Sequence, residues 1–294
     1  MIRVGVAGWS YPDWEGVVYP SPRPRGFDAL RFLSGCFDVI EINSTFYRPP
    51  DPRTTSSWLT RVAARPRFLF SAKLWRGFTH ERDERHAGEE LAFREGVRPM
   101  VEGGKLSCLL LQFPHSFRTD EAGRNCLAAL AARFGDFRLV VELRRRDWAS
   151  PETLSWLSEK GIGFCNVDQP RLGSKGGATL ALTDIVTAPV AYARLHGRNA
   201  RAWFAKDAGR DARYDYLYTL AELEPWISIL RGMEEKAEEV HLIANNHFRG
   251  KAVVNALMIR AMLTQQPVDV PAELRAAYPE IEPFARRPAQ GKLF

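Results

Sequence analysis

Apolar residues along the chain fall into eight short runs rich in β-branched and aromatic side chains. They are Arg3–Gly8, Phe37–Asn43, Arg67–Lys73, Ser107–Gln112, Arg138–Leu143, Ile162–Asp168, Val190–His196 and Val240–Asn245. Each is short enough for a strand and too short for a helix. Amphipathic segments separate most of them: Phe27–Phe37, Pro52–Ala64, Glu84–Glu102, Asp120–Phe134, Pro151–Lys160, Thr219–Glu239 and Phe248–Thr264. Ser150 followed by Pro151 is a helix start, because the hydroxyl caps free N–H groups and proline tolerates the first turn. Thr219-x-x-Glu222 reads as a capping box, and Pro225 as a kink. Gln169–Pro189, after the sixth run, shows no clear period and reads as mostly loop.

Eight strand–helix units predict an α/β fold of the TIM (β/α)8 barrel type, with residues 1–278 as one domain. Residues 279–294 read as a Pro-rich extension and tail. A doubly wound sheet is the alternative. Gly5-Val6-Ala7-Gly8-Trp9-Ser10-Tyr11 lacks the third glycine of a dinucleotide fingerprint, and no Walker A sequence occurs. Gly173-Ser174-Lys175-Gly176-Gly177 has the composition of an anion-binding nest, although a surface loop reads better.

The runs begin apolar and end polar. On one parity they give Val39, Glu41, Asn43; Ser71, Lys73; Val140, Glu142, Arg144; Phe164, Asn166, Asp168; Tyr192, Arg194, His196. Gln112 ends the fourth run, and Asn245, Asn246 and His247 end the eighth. Alternate residues share a face, so in a barrel these sets would meet at the C-terminal mouth, where active sites of this fold lie. Glu41, Glu142 and Arg194 have apolar neighbours on both sides, and a buried charge is costly unless paired. An ion pair between Glu142 and Arg144 or Arg194 is therefore expected, serving structure, substrate or both.

Composition changes this picture little. The 294 residues are 45% hydrophobic and 26% charged, with 41 basic and 35 acidic side chains, a net charge of +6. That excludes disordered, collagenous and disulfide-scaffold chains. Cys36, Cys108, Cys126 and Cys165 form no C-x-x-C pair. No signal peptide precedes the first strand and no apolar stretch is long enough to cross a bilayer, so a cytoplasmic, non-membrane protein is expected.

Three segments carry a family resemblance: Gly8-Trp9-Ser10-Tyr11-Pro12-Asp13-Trp14, Glu41-Ile42-Asn43-Ser44-Thr45-Phe46-Tyr47 and Leu111-Gln112-Phe113-Pro114. Glu142-x-Arg144 with Trp148, Arg194-Leu195-His196-Gly197, and Asn245-Asn246-His247 with Gly250 and Asn255-Ala256 continue it. Together they resemble the YecE-like family, domain of unknown function 72, over residues 2 to 266. The resemblance implies a TIM barrel and brings no settled activity. Arg144-Arg145-Arg146-Asp147 is more basic than the family's text at that place.

Three chemistries suit the expected mouth. In metal-assisted phosphodiester hydrolysis, Glu142, Asp168, His196 and His247 would ligate zinc or manganese, although no H-x-H or H-E-x-x-H spacing occurs. Glu41 would orient, and Lys73, Arg144, Arg194 and His196 would stabilise charge. In glycoside chemistry Glu41 and Glu142 would be the acid and the base or nucleophile, with Trp9, Trp14, Trp75, Phe46, Tyr47 and Trp148 stacking on sugar. The third possibility is a non-catalytic anion pocket. The expected catalytic set is Glu41, Glu142, Asp168 and His196. Around it Trp9, Tyr11, Asn43, Tyr47, Lys73, Gln112, Arg144, Trp148, Arg194, Asn245 and Asn246 would bind substrate. His80, His86, His115 and His241 have no motif company and read as surface or structural residues rather than catalytic ones.

Basic clusters at Arg23–Arg25, Arg82–Arg85, Arg144–Arg146, Arg198–Arg201 and Arg286-Arg287 point to DNA or another polyanion as partner. The final Gln290-Gly291-Lys292-Leu293-Phe294 resembles the short peptide that docks on the bacterial DNA sliding clamp, with Gln290, Leu293 and Phe294 as its contacts. The sum is an expected hydrolase acting on a phosphate-bearing, nucleic-acid-related substrate.

Overall fold

The computed structural model describes residues 1–81, 87–170, 179, 182–203, 205 and 210–287. The first strand-helix unit is β1 (Ile2–Ala7) and α1 (Ala29–Cys36), and the second is β2 (Val39–Ile42) and α2 (Pro52–Val62). Then come β3 (Leu69–Lys73) with α3 (Ala87–Glu102), β4 (Leu106–Gln112) with α4 (Glu121–Arg133), and β5 (Leu139–Glu142) with α5 (Pro151–Glu159). β6 (Ile162–Asp168) leads to β7 (Val190–Leu195), α6 (Ala200–Trp203) and α7 (Leu220–Glu234). β8 (Glu239–Ala244), α8 (Lys251–Thr264) and α9 (Ala272–Ala277) complete the order. The eight strands close as a parallel barrel in sequence order, β8 pairing with β1. The expected TIM barrel is thus the observed fold.

Local chemistry sets the element ends. Asp28, Asp51, Asp120 and Ser150 accept backbone N–H groups at the starts of α1, α2, α4 and α5. At the start of α7 the Glu222 carboxylate accepts the Thr219 N–H at 2.9 Å, as the capping box requires. Helix α7 continues through Pro225.

Two buried clusters follow from two-sided strands. The larger lies between barrel and helices and holds Ile40, Phe164, Ala193 and Leu242. The smaller fills the barrel with Val39, Leu110, Val140, Cys165, Val167 and Tyr192. Parity along each strand decides which cluster a side chain joins.

Between β6 and β7 the described residues contain no helix. Residues 183–187 strap the outer side of β6 instead. Asn166 Oδ1 accepts from the Thr183 hydroxyl at 2.6 Å and the Ile185 N–H at 2.9 Å, while Asn166 Nδ2 donates to the Ile185 carbonyl at 2.8 Å. Thr187 Oγ1 donates to the Ile162 carbonyl at 2.6 Å and accepts from the Phe164 N–H at 2.8 Å. The glycine-rich run 173–177 lies outside the described residues.

The expected extension from residue 279 needs correction. Pro279–Phe284 is a short 3-10 helix whose Ile281 is fully buried in the main core. Val268 N–H donates to the Phe284 carbonyl at 2.9 Å, and Arg286 N–H to the Val268 carbonyl at 2.8 Å. The prolines there stiffen a segment that packs back on the barrel. The barrel domain therefore runs past residue 278, to at least Arg286.

Candidate functional site

At the C-terminal mouth the strands deliver the expected charges. β2 supplies Glu41, β5 Glu142 and β7 Arg194, all fully buried and pointing inward. The Arg194 fork joins the two carboxylates: Nη2 donates to Glu41 Oε1 at 2.7 Å, and Nη1 to Glu142 Oε2. Nη1 also meets Gln112 Oε1 at 3.3 Å. Glu41 Oε2 accepts from the Tyr192 hydroxyl at 3.0 Å, and Tyr192 in turn meets Ser71 Oγ at 2.7 Å. Glu142 Oε1 accepts from Arg144 Nε at 2.8 Å. Burial opposes ionisation of Glu142, but the Arg194 and Arg144 guanidinium groups outweigh it and hold its carboxyl well below the usual range.

His196 closes the group. Its Nδ1 lies 2.9 Å from Asn245 Nδ2, an amide donor, so the ring proton sits on Nε2, which faces Glu142 Oε1 at 3.4 Å. That is long for a hydrogen bond, so the contact is electrostatic. Burial drives the His196 pKa down to about 3 despite the carboxylate, so the ring is neutral near pH 7.

Lys73, at the end of β3, is the remaining cation. Its Nζ lies 4.0 Å from Glu41 Oε1 and 5.4 Å from the centre of the Phe46 ring. Burial lowers its pKa to about 8. Thr45 Oγ1 donates to the Lys73 carbonyl at 2.7 Å, which locks the end of β3 to the Asn43–Tyr47 turn.

Above this floor opens a cavity of about 470 Å³, lined among others by Trp9, Tyr11, Asn43, Lys73, Tyr214 and His247. Gly8 shapes its edge. It has φ +77°, and a Cβ there would lie 2.7 Å from the Tyr11 hydroxyl. Tyr11 donates to the Ala7 carbonyl at 2.6 Å and stacks on His247, with ring centres 4.5 Å apart. Tyr214 packs on the His247 ring at 4.8 Å. Tyr47 stands at the rim, 56% exposed. Asn245 also lines the cavity. Asn43 donates to the Tyr11 hydroxyl at 3.3 Å, and its buried Oδ1 has no acceptor-side partner among the described residues.

Most of the expected set therefore gathers at the mouth. Trp9, Tyr11, Asn43, Tyr47, Lys73 and Asn245 line the cavity, while Glu41, Gln112, Glu142, Arg144, Arg194 and His196 form the floor beneath it.

Three expected residues do not join them. Asp168 has the opposite parity from Cys165 and Val167, so it faces the helix layer. There Arg198 clamps it from Nε at 2.8 Å and Nη2 at 2.6 Å, and Trp226 Nε1 donates at 3.1 Å. Asn246 also turns outward, donating to the Tyr216 carbonyl at 2.8 Å and to Asn255 Oδ1 at 2.9 Å. Trp148 stacks on Phe117 at 5.1 Å and donates to its carbonyl, so it packs helix against barrel.

The expected metal set of Glu142, Asp168, His196 and His247 fails with this. Asp168 is on the other side of the sheet, arginines occupy both Glu142 oxygens, and His247 stacks on Tyr11. Among the described residues no three His, Cys, Asp or Glu side chains group so as to hold a metal ion.

Ser10, Ser44, Trp58 and Tyr214 line the cavity without having been singled out. Ser10 and Ser44 lie inside motifs that carried the resemblance. Tyr214 ends a short 3-10 helix, Arg210–Tyr214, that no period in the sequence marks. Of the basic clusters, Arg144 pairs with Glu142, Arg145 with Asp147, Arg198 with Asp168 and Glu222, and Arg286 with Asp269. Arg82–Arg85, His86, Gln290, Leu293 and Phe294 lie outside the described residues. No helix among the described residues is long and apolar enough to cross a membrane.

Comparison with known proteins adds relatives of the same kind. The family described as "Protein of unknown function DUF72" matches residues 3–280. The UPF0759 protein YunF of Bacillus subtilis (strain 168) is 30% identical over 276 residues, covering 90% of this chain and 95% of that protein. A crystal structure of a DUF72 family protein from Thermotoga maritima is 31% identical with TM-score 0.77, covering 90% of this chain and 99% of that one. Another, from Enterococcus faecalis, is 26% identical with TM-score 0.78, covering 92% and 98%.

Proposed function

The chain belongs to the DUF72 family, whose description carries no activity, and on that premise we propose that its mouth captures a small phosphate- or carboxylate-bearing ligand. One observation carries this reading: among the described residues the floor holds three cations, Lys73, Arg144 and Arg194, against two carboxylates, Glu41 and Glu142, with His196 neutral. The surplus positive charge lies where Lys73 enters the cavity. Two opposite charges about 4 Å apart near a protein surface attract by about 4 kcal/mol. Asn43, Asn245, Ser10 and Ser44 offer hydrogen bonds, and Trp9, Tyr47 and Tyr214 offer apolar faces for the rest of the ligand. The cavity volume suits a sugar phosphate or a single nucleotide.

Phosphate-ester hydrolysis remains the activity to seek in this pocket, on nucleic-acid fragments among other substrates. Glycoside chemistry has less support. A general acid needs a carboxyl with a raised pKa, and Glu142 is held low by two guanidinium groups. The paired state of the mouth arginines likewise favours a small anion over an extended polyanion. Clamp docking through Gln290, Leu293 and Phe294 is a separate proposal. Its test is whether removal of residues 290–294 abolishes clamp capture while the unfolding midpoint stays unchanged.

The ligand reading is tested by thermal unfolding and calorimetry with glycerol 3-phosphate against glycerol. The phosphate compound should raise the midpoint, and Lys73→Met should abolish the rise. Equal effects of the two compounds, or no effect of either, would overturn the reading.

A further inference from the structure

We propose that the Lys73 amine is a nucleophile that condenses with the carbonyl carbon of a small anionic aldehyde or ketone held in the mouth cavity. This rests on the reading above for where the ligand sits, and adds what the amine does there.

A lysine kept for structure shows what it binds. Lys105 is such a residue: its Nζ donates to the carbonyls of Arg65, Pro66 and Phe68 at 3.0, 2.7 and 3.1 Å. Lys73 differs. Its side chain is only 11% exposed, yet its nearest carboxylate oxygen is 4.0 Å away, beyond hydrogen-bond reach. That oxygen, Glu41 Oε1, already accepts from Arg194, and Glu41 Oε2 accepts from Tyr192. Among the described residues no acceptor takes a hydrogen bond from Nζ, and the amine borders the cavity. It is therefore held in place by its backbone and open towards a ligand.

The surroundings favour the reactive form. Burial acts most strongly against the ammonium, and Arg194 and Arg144 act with it, while Glu41 and Glu142 oppose them. With a pKa of about 8 in place of an ordinary value near 10.4, the neutral amine is on the order of a hundredfold more populated near pH 7 than in an exposed lysine.

The reaction balances without an added reagent. The ammonium releases one proton, and the nitrogen lone pair forms a C–N bond to the carbonyl carbon as the C=O π pair moves to oxygen. That oxygen takes up the released proton and, from the nitrogen, a second one, and leaves as water. The product is an iminium carrying one N–H and the same single positive charge, still facing Glu41. Neither oxidant nor reductant takes part.

The test is reductive trapping on the full chain with cyanoborohydride, using glyceraldehyde 3-phosphate and pyruvate as probes and peptide mass spectrometry as readout. Adduct should form on Lys73 at least about tenfold faster than on Lys105 or Lys251. Its rate should rise with pH through a midpoint near 8. The Lys73→Arg variant, which keeps the charge and loses the nucleophile, should give no adduct at this position and no excess at another. Labelling of Lys73 no faster than of Lys105 and Lys251 overturns the proposal. A glycerol 3-phosphate shift without any Lys73 adduct also overturns it and leaves anion capture standing. Equally fast trapping of neutral glyceraldehyde supports the nucleophile and counts against anion recognition.

Discussion

The two ends of the barrel interior hold similar polar groups arranged to opposite effect. At the N-terminal end Arg3 Nε donates to Glu239 Oε1 at 2.6 Å, and Ser107 Oγ donates to Glu239 Oε2 at 3.0 Å. His241 Nε2 lies 3.1 Å from that hydroxyl and 3.3 Å from the carboxylate. Arg3 also reaches the Arg67 carbonyl at 2.7 Å. One cation meets one carboxylate there. At the mouth, among the described residues, three cations meet two carboxylates on the floor, and the surplus amine borders a cavity. Balance closes one end, and imbalance leaves the other with an affinity to be met by a ligand.

Breaking this contrast should be easiest at Arg194. Arg194→Met leaves Glu41 and Glu142 buried without their shared partner, which should cost about 3–5 kcal/mol of stability in urea unfolding. Glu142→Gln comes next, at about 2–3 kcal/mol, because charge-assisted bonds to Arg194 and Arg144 become neutral ones. Its pH signature is specific. Glu142 has a folded pKa below its unfolded value of about 4.3, so its contribution is present above that pH and fades as pH falls towards the folded value. The variant should flatten the acid limb of the stability curve.

At the closed end, Glu239→Gln should lower stability by about 1–2 kcal/mol. It should leave any ligand-induced shift of the unfolding midpoint intact, and loss of that shift would erase the distinction between the two ends. Lys73→Met should act in the opposite direction and raise stability near pH 7, since a disfavoured buried charge is removed. The folded pKa of Lys73, about 8, lies below its unfolded value near 10.4, so wild-type stability should gain as pH rises through that interval. Denaturant titrations across pH 7–11 should show that gain absent from the variant.

Much of this site was legible in the chain. Val39-x-Glu41-x-Asn43 and Val140-x-Glu142-x-Arg144 alternate cleanly, and both carboxylates do face inward beside Arg194. The Glu142–Arg144 and Glu142–Arg194 pairs followed from the cost of burying a lone charge. The same reasoning misplaced Asp168. Phe164-x-Asn166-x-Asp168 also runs from apolar to polar, but this set packs on the strap at 183–187 and on Arg198. Strands of a parallel barrel are buried on both sides, so apolar content marks neither face as the interior. Small inward residues such as Gly163 and Cys165 leave the outward set looking more like a site.

What the sequence determined by itself was the count of strands, their parity sets and the helix starts. These depend on a residue and its near neighbours: on alternation, on caps and on the reach of a side chain along its own strand. Only the tertiary structure decided which parity faces the interior, which carboxylate oxygens arginines occupy, and that among the described residues Lys73 is left without an acceptor. Those follow from closing eight strands into one ring, which sets β2, β5 and β7 around a single guanidinium although Glu41 and Arg194 are 153 residues apart.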